Sequence, residues 1–245
     1  MDKVFGRNPV TELLKSDAQV EKLYVNRELN TPPIQQIMRM AKQKGIIISA
    51  CDGKKLDFMS GNGAHQGVLA VISQTEYCSV DDLLQTAQEK GEPPFLVMLD
   101  GIEDPHNLGA IIRSCNVAGV HGVIIPKHRA AGVNATVYKA SAGAVNYTKV
   151  AKVSNLKNTM EELKEKGLWF FGAEADGDQM YYQADLKGPV CIVIGSEGSG
   201  ISRLVREGCD FLVKIPVMGQ INSLNASVAA GILIFETLKQ RLSGC

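Results

Sequence analysis

The chain has 245 residues, of which 45% are hydrophobic, and its 26 basic side chains balance 26 acidic ones. Zero net charge excludes a global positive field of the kind that identifies many nucleic-acid-binding proteins, and no apolar run approaches the ~20 residues of a membrane span. The chain is long and apolar enough for one large domain or two modest ones with hydrophobic cores. Residues 1–73 carry 10 basic and 7 acidic side chains, a weak indication of a polyanionic partner for this part of the chain.

The cysteines and histidines do not form metal-binding motifs. Six cysteines occur in the sequence without ligand or C-x-x-C spacing, and there are only four histidines. We therefore expect no metal site and reduced cysteines in the protein core. The first residues, MDKVFGRNPV, lack the apolar core of a signal peptide. Together these features predict a cytoplasmic protein that does not enter a membrane.

The front of the chain has the pattern of a small α/β domain, which we assign to residues 1–73. Helices are predicted where Pro near the start and Gly near the end bracket an amphipathic stretch, and strands where apolar residues cluster. The predicted helices are 8–16, 31–45 and 53–61, and the predicted strands are 20–26, 46–50 and 67–73.

Residues 74–94 are polar and end in Gly-Glu-Pro-Pro, which predicts a linker carrying one short helix over residues 80–90. From residue 95 to residue 245, short apolar runs alternate with helical stretches. This alternation predicts a parallel sheet covered by helices on both faces. The predicted strands are 95–100, 122–126, 148–153, 168–174, 190–198 and 211–216, and the predicted helices are 108–119, 135–143, 156–167, 201–208 and 223–242.

Ligands of parallel α/β sheets bind at the carboxyl ends of the strands, so the loops after the strands are the place to search for chemistry. The loop after the first of these strands contains Asn107, interpreted as a helix N-cap, and leads to Arg113. Arg113 lies six residues further on, where we expect it close to the same helix face as Asn107. Its flanking residues are apolar or small, and an arginine in such a helix is costly to bury unless paired. Arg113 is therefore either salt-bridged at a domain or subunit boundary, or aimed at a phosphate or a reacting oxygen.

The loop that ends the apolar run VCIVIGSEG is rich in glycine and reads Gly-Ser-Glu-Gly-Ser-Gly over residues 195–200. It has neither the lysine of a Walker A loop nor Gly-x-Gly-x-x-Gly spacing, so it predicts neither a nucleoside triphosphate nor a dinucleotide. Glu197 would repel a phosphate and could instead hold a positive group or hydroxyls. A tight turn without function is the alternative.

The third loop, before the C-terminal helix, contains more polar residues than one helix cap needs. Asn222 or Ser223 is the predicted cap, Ser227 is expected to bond a helix carbonyl, and Asn225 is expected to project from the first turn. Should the three loops converge, they would bring together Asn107, Arg113, Glu197, Ser223 and Asn225 in one pocket.

Three segments carry a resemblance to a known family. They are LDGIEDPHNLGAIIRSCNVAGVHGVIIP, VIGSEGSGIS and IPVMGQINSLNASVAAGILIFE, and in this order they resemble the signature motifs of the SpoU (TrmH) group of SPOUT RNA 2'-O-methyltransferases over residues 95–242. The front segments VFGRNPVTELL and AHQGVLA resemble the ribosomal-protein-L30e-like substrate-binding domain that often accompanies this group.

The resemblance implies an α/β fold with a parallel-sheet SPOUT domain, a C-terminal trefoil knot and a preceding L30e-like domain. It implies an enzyme that uses S-adenosylmethionine, works as a homodimer and methylates a ribose 2'-OH, which RNA has and DNA lacks. The combination of domains is most similar to members that act on a guanosine of 23S ribosomal RNA.

Carried over by position, the resemblance also implies residue roles. The catalytic set would be Asn107, Arg113, Glu197, Ser223 and Asn225. The cofactor would be contacted by Gly195, Ile215, Met218, Gly219 and Leu224. Two further interpretations stay open at this point: methylation of transfer RNA or of another ribosomal RNA site, and a non-catalytic RNA-binding or ribosome-assembly factor on the same scaffold. A nucleotide-binding α/β enzyme would require a phosphate loop, which the sequence does not contain.

Overall fold

The computed structural model describes residues 2–16, 20–72, 77–220 and 223–243. The chain divides into two compact units. The first comprises Met1–Glu76 together with Gly132–Tyr147, and the second comprises Tyr77–Ala131 and Thr148–Cys245. The sequence assigns all of residues 95–245 to a single catalytic domain, whereas 132–147 group with the first unit.

The first unit is built on a four-stranded sheet with helices between its strands. Its elements are β1 (Asp2–Phe5), α1 (Arg7–Lys15), β2 (Val20–Asn26), α2 (Pro32–Gln43), β3 (Ile47–Cys51), α3 (Gly53–Ser60), β4 (Val68–Ile72) and α6 (Ala135–Ala140). The strand order is β1-β4-β2-β3, with β4 antiparallel to both neighbours and β2 parallel to β3. The six predicted elements of this region are confirmed; β1 is an additional strand that the sequence analysis missed.

Residues 132–147 belong to the first unit because their side chains pack on its opening elements. Helix α6 packs against β1, and the ammonium of Lys139 lies 5.7 Å from the centre of the Phe5 ring. After α6, the hydroxyl of Tyr147 donates to the Glu12 carboxylate on α1 at 2.9 Å. A contact to residues more than a hundred positions earlier leaves no local pattern, so the sequence could not indicate this grouping.

The second unit is a seven-stranded sheet in which all neighbouring strands are parallel, in the order β7-β6-β5-β10-β8-β11-β9. Its strands are β5 (Phe95–Leu99), β6 (Gly122–Pro126), β7 (Val150–Val153), β8 (Trp169–Ala173), β9 (Gln179–Met180), β10 (Val190–Ile194) and β11 (Phe211–Lys214). Its helices are α4 (Val80–Lys90), α5 (Pro105–Val117), α7 (Leu156–Glu165), α8 (Arg203–Arg206) and α9 (Ala226–Leu242). The predicted parallel α/β sheet is confirmed, whereas the implied knot and the L30e-like character of the first unit stay predictions.

The predicted linker 74–94 is only partly a connection. Residues 74–76 lie outside the described residues, but α4 forms where its helix was predicted and buries Leu83 and Ala87 completely. Leu83 belongs to the same apolar cluster as Leu96, Phe170 and Cys191. Residues 77–90 are therefore part of the second unit, and their polar composition reflects the solvent-facing side of an amphipathic helix.

The five cysteines in the described ranges are free thiols, and burial raises the pKa of the Cys209 thiol to about 12. These thiols are uncharged and serve as packing groups, while Cys245 lies outside the described residues. Nowhere in residues 2–16, 20–72, 77–220 and 223–243 does a helix combine the length and apolar character that a membrane crossing requires.

Candidate active site

Three loops of the second unit meet at the carboxyl ends of its central strands. Strands β5 and β10 are neighbours, so the loops that follow them leave the same edge of the sheet. The backbone N–H of Ser202, after β10, donates to the Asp100 carboxylate, after β5, at 2.7 Å. The segment before α9 reaches the same place through Asn225, whose amide donates to Glu197.

The meeting point is the carboxylate of Glu197. Its Oε1 accepts from Asn107 Nδ2 at 2.8 Å, from Asn225 Nδ2 and from the backbone N–H of Ala226 at 3.3 Å. Asn225 Nδ2 also donates to Asn107 Oδ1 at 2.9 Å. Glu197 thus contacts Asn107, which lies 90 residues earlier in the sequence, and Asn225, which lies 28 residues later. The predicted convergence of Asn107, Glu197 and Asn225 is therefore observed in the structure.

Helices α5 and α9 start at different residues from those predicted. As a result, the amide N–H groups of Asn107 and Asn225 are free to donate to Glu197. Helix α5 begins at Pro105 and is capped by Asp104, so Asn107 is in the first turn instead of at the cap. Helix α9 is capped by Asn225, whose Oδ1 accepts from the N–H groups of Ser227 and Val228. The Ser227 hydroxyl donates to the same oxygen, not to a helix carbonyl. Asn222, the other candidate cap, lies outside the described residues.

The glycine loop is closed tightly on itself. The N–H of Ser196 donates to the Gly200 carbonyl and the N–H of Gly200 to the Ser196 carbonyl, both at 3.0 Å. A Cβ on Gly195 would lie 2.1 Å from the Gly200 carbonyl carbon, so a side chain cannot be accommodated there. Gly200 itself has φ +65°, in the left-handed region that favours glycine. The loop is consequently a backbone surface with little side-chain bulk.

A cavity of about 370 Å³ lies between this loop, the end of β8 and the segment that follows β11. Five of the predicted site residues line it, together with apolar residues of β10, β11 and α9. Those five are Gly195, Glu197, Ile215, Ser223 and Leu224. Met218 is 96% exposed, and neither it nor Gly219 is among the lining residues. Backbone groups and small apolar side chains dominate the wall, which suits a flat, largely uncharged ligand better than a phosphate.

Arg113 does not reach this cavity within the single chain. It is exposed, does not line the cavity, and makes neither a hydrogen bond nor an ion pair with any described residue. The expectation that it would share a face with Asn107 was wrong: at about 100° per residue, six residues leave it roughly 120° short of two full turns. Its predicted role stays a prediction that requires another partner.

Glu174 immediately follows β8 and lines the same cavity, although the sequence did not predict it as a site residue. Its Oε1 accepts from the N–H of Ile201 at 2.7 Å and so anchors the end of the glycine loop. The signal was present, because Glu174 is a polar residue directly after a parallel strand. The predicted strand 168–174 included Glu174, whereas β8 ends at Ala173, which makes Glu174 the first residue of the loop. Across the described residues no group of three or more His, Cys, Asp or Glu side chains is arranged to bind a metal ion.

Two family models match the chain. Residues 94–235 match the SpoU rRNA methylase family, and residues 3–78 match the substrate-binding domain of RNA 2'-O ribose methyltransferases. The two matches overlap the regions that carry the sequence resemblance, residues 95–242 and the front segments.

Individual relatives agree with the family models. YacO of Bacillus subtilis, whose name places it in the TrmH family of tRNA/rRNA methyltransferases, is 48% identical over 240 residues, 98% of this chain and 96% of YacO. The SpoU methyltransferase AviRb of Streptomyces viridochromogenes, crystallised with AdoMet, has a TM-score of 0.85 at 25% identity and covers 99% of this chain and 91% of AviRb. The TrmH/SpoU tRNA-modifying enzyme of A. aeolicus has a TM-score of 0.57 at 26% identity over 67% of this chain and 84% of its own.

Proposed function

Because the chain belongs to the SpoU rRNA methylase family and is an RNA 2'-O-ribose methyltransferase, we propose that the cavity beside Glu197 is its active site. The observation that carries the proposal is the Glu197 carboxylate, which joins the three loops at the wall of the cavity.

The cofactor is S-adenosylmethionine, and the cavity fits it. Gly195, Ile215 and Leu224 present backbone and apolar surface, and no side chain is arranged to hold a phosphate group, which this cofactor lacks. When bound, the cofactor supplies an electrophilic methyl carbon on a sulfonium. The task of the protein is to hold the ribose oxygen about 3 Å from that carbon and to assist loss of the hydroxyl proton.

Arg113 is the proposed electrostatic group for the ribose oxygen. A 2'-OH is a weak acid, so a cation beside the developing alkoxide lowers the barrier to transfer. The guanidinium is not the proposed base, because it has five N–H donors and no acceptor atom. Asn107, Ser223 and Asn225 are the proposed positioning groups, with the two asparagine amides oriented by Glu197.

We propose that the enzyme is a homodimer whose interface includes α5 and α9. The two helices pack against each other, yet α9 exposes Val228, Phe235 and Leu242 at intervals of seven residues, on one face. On α5, Val117 is 67% exposed and lies one turn from Arg113. A second copy on this apolar surface would cover both helices and enclose Arg113, which supplies the partner that the single chain lacks.

The proposed substrate is a guanosine ribose in 23S ribosomal RNA, encountered in the cytoplasm. The substrate-binding family match and the surplus of basic residues over 1–73 support an RNA ligand for the first unit. Transfer RNA is the competing substrate, since YacO is described as a tRNA/rRNA methyltransferase and the A. aeolicus enzyme as tRNA-modifying.

The test incubates the full-length protein with radiolabelled S-adenosylmethionine and either unmodified 23S rRNA or unmodified transfer RNA. Methylated riboses resist alkaline cleavage, so the modified position appears as a gap in the hydrolysis ladder. Label at one guanosine of 23S rRNA is the expected result. Label confined to transfer RNA would overturn the choice of substrate, and no label in any RNA would overturn the assignment of the cavity as an active site.

A further inference from the structure

The cavity contains two negative charges without a balancing cation. Glu174 and Glu197 are the ionisable side chains that line it, and no lysine, arginine or histidine of the described chain does so. An uncompensated carboxylate beside a partly enclosed cavity favours a cationic ligand over a neutral one of the same shape.

The two carboxylates are engaged differently. Glu197 Oε1 accepts from both asparagine amides and one backbone N–H, so this side chain is committed to joining the loops. Glu174 is held by a single bond, from the N–H of Ile201 to Oε1, and its Oε2 accepts no hydrogen bond from the described residues. Gly200 faces the carboxylate without a side chain, since a Cβ there would come within 3.0 Å of both oxygens. Glu174 is thus fixed in place while one oxygen stays available.

We propose that Glu174 makes the cavity select the positively charged methyl donor over the neutral product, a role that rests on the proposed function. During transfer, the bond between sulfur and methyl carbon breaks and its electron pair stays on sulfur. A bond forms between the methyl carbon and the ribose oxygen, while the O–H bond breaks, its electron pair stays on oxygen and its proton passes to water. The sulfonium thereby becomes a neutral thioether. The attraction to the fixed carboxylate is lost with the positive charge, so the product is held less tightly than the donor and exchanges for it.

A different use of Glu174 predicts a different outcome. The α-ammonium and the ribose hydroxyls are common to donor and product. If Glu174 contacted one of these groups, its charge would strengthen binding of both compounds equally. The ratio of the two affinities therefore separates the alternatives, whereas methylation activity alone would not.

The experiment measures dissociation constants by isothermal titration calorimetry on the full-length protein and on Glu174→Gln. The ligands are S-adenosylmethionine, S-adenosylhomocysteine and sinefungin, which carries a protonatable amine in place of the sulfonium. Glutamine keeps an oxygen that can accept the Ile201 N–H but removes the charge. We expect the preference for the donor over the product to fall about tenfold, equivalent to about 1.4 kcal/mol, with sinefungin following the donor.

Two further variants control the measurement. Asp178→Asn removes an exposed carboxylate from the loop after β8 that does not line the cavity, so the preference should be unchanged. Glu174→Asp retains the charge and should keep the preference even if all three affinities drop because the shorter side chain disturbs Ile201.

The outcomes are distinct. An unchanged preference in Glu174→Gln, equal weakening of all three ligands, or loss of preference in Glu174→Asp would overturn the role of Glu174. If the unaltered protein bound none of the three compounds, the proposed function itself would fail, whatever the variants showed.

Discussion

Glu197 organises the site at the scale of single residues. Hydrogen bonds to a charged acceptor are stronger than neutral ones, and here one carboxylate oxygen accepts three of them, one from the first turn of α5 and two from the start of α9. The asparagine amides are thereby held in defined orientations although Asn225 is exposed and Asn107 only half-buried. The loops are pre-organised before any ligand arrives, which limits the entropy lost on binding.

Replacing Arg113 by Ala should lower the rate of methyl transfer about 100-fold to 1000-fold, the range typical of losing one group that stabilises a developing oxyanion. Because Arg113 does not line the cavity, the dissociation constant for S-adenosylmethionine should change little. Single-turnover methylation and calorimetry measure the two quantities. Arg113→Lys, which keeps the charge but loses the planar guanidinium, should be intermediate in rate. A parallel loss of cofactor binding in Arg113→Ala would contradict the assigned role.

The part of the site that sequence reasoning could predict is the part determined by strand order. Polar residues at the carboxyl edge of a parallel sheet can be found from the order of strands and helices in the sequence. Asn107 and Glu197, which come after strands, and Ser223, which comes before α9, were found in this way. Arg113 was misplaced because six residues of α5 rotate by about 600°, roughly 120° short of the two full turns that would return it to the face of Asn107. Met218 and Gly219 were assigned to the cofactor site by resemblance. In the structure, neither residue lines the cavity.

At the scale of elements, α9 has two apolar faces. Ala230, Leu233 and Ile234 are completely buried, while Val228, Phe235 and Leu242 are exposed on another side. A helix that is apolar on more than its core-facing side is expected to bury the remainder against a partner.

Phe235→Glu should convert the proposed dimer to a monomer, since it places a carboxylate at the centre of the apolar stripe. Light scattering coupled to gel filtration measures the mass. Methyl transfer should fall with the loss of the dimer if the second copy encloses Arg113. Leu204→Glu on α8 is the matched control. Leu204, like Phe235, is a large apolar residue with an exposed side chain, but it lies outside α5 and α9. Either of two results would refute this interface: the unaltered protein is a monomer, or the dimer persists in Phe235→Glu.

The regular alternation of apolar runs was enough to predict most elements of the fold. The strands missed were the shortest or the closest to a chain end: β9 has two residues, and β1 begins at Asp2. Neither is long enough to show a periodic pattern, and both exist because a neighbouring strand offers free backbone groups. Pairing of β1 with β4, more than sixty residues away, is a tertiary effect that local propensity does not contain.

At the scale of the whole molecule, neutral net charge conceals an uneven distribution. The second unit supplies the acidic cavity, while the front 73 residues have more basic than acidic side chains. A surface that binds a polyanionic substrate needs positive charge, and a cavity that binds a cationic donor needs negative charge. A protein with zero net charge can contain both.

The double variant Lys54→Glu, Lys55→Glu on α3 of the first unit should weaken RNA binding and reduce its salt dependence by about one to two units of slope. Both side chains are exposed, so folding should be preserved. Filter binding over a series of salt concentrations measures the slope. The dissociation constant for S-adenosylmethionine is the internal control and should be unchanged. RNA affinity that is insensitive to both substitutions would show that the substrate contacts a different surface.

The membership of residues 132–147 in the first unit changes how the protein can be divided. The polypeptide leaves that unit after residue 76, returns to it at residue 132 and departs again after residue 147. A cut at residue 77 would therefore strip α6 of β1, the strand on which it packs, and leave Tyr147 without Glu12. The continuous segment 1–76 and the unit that packs together are therefore different sets of residues. Removing the segment would damage the packing of 132–147, so a loss of activity on truncation would not by itself identify the RNA-recognition surface.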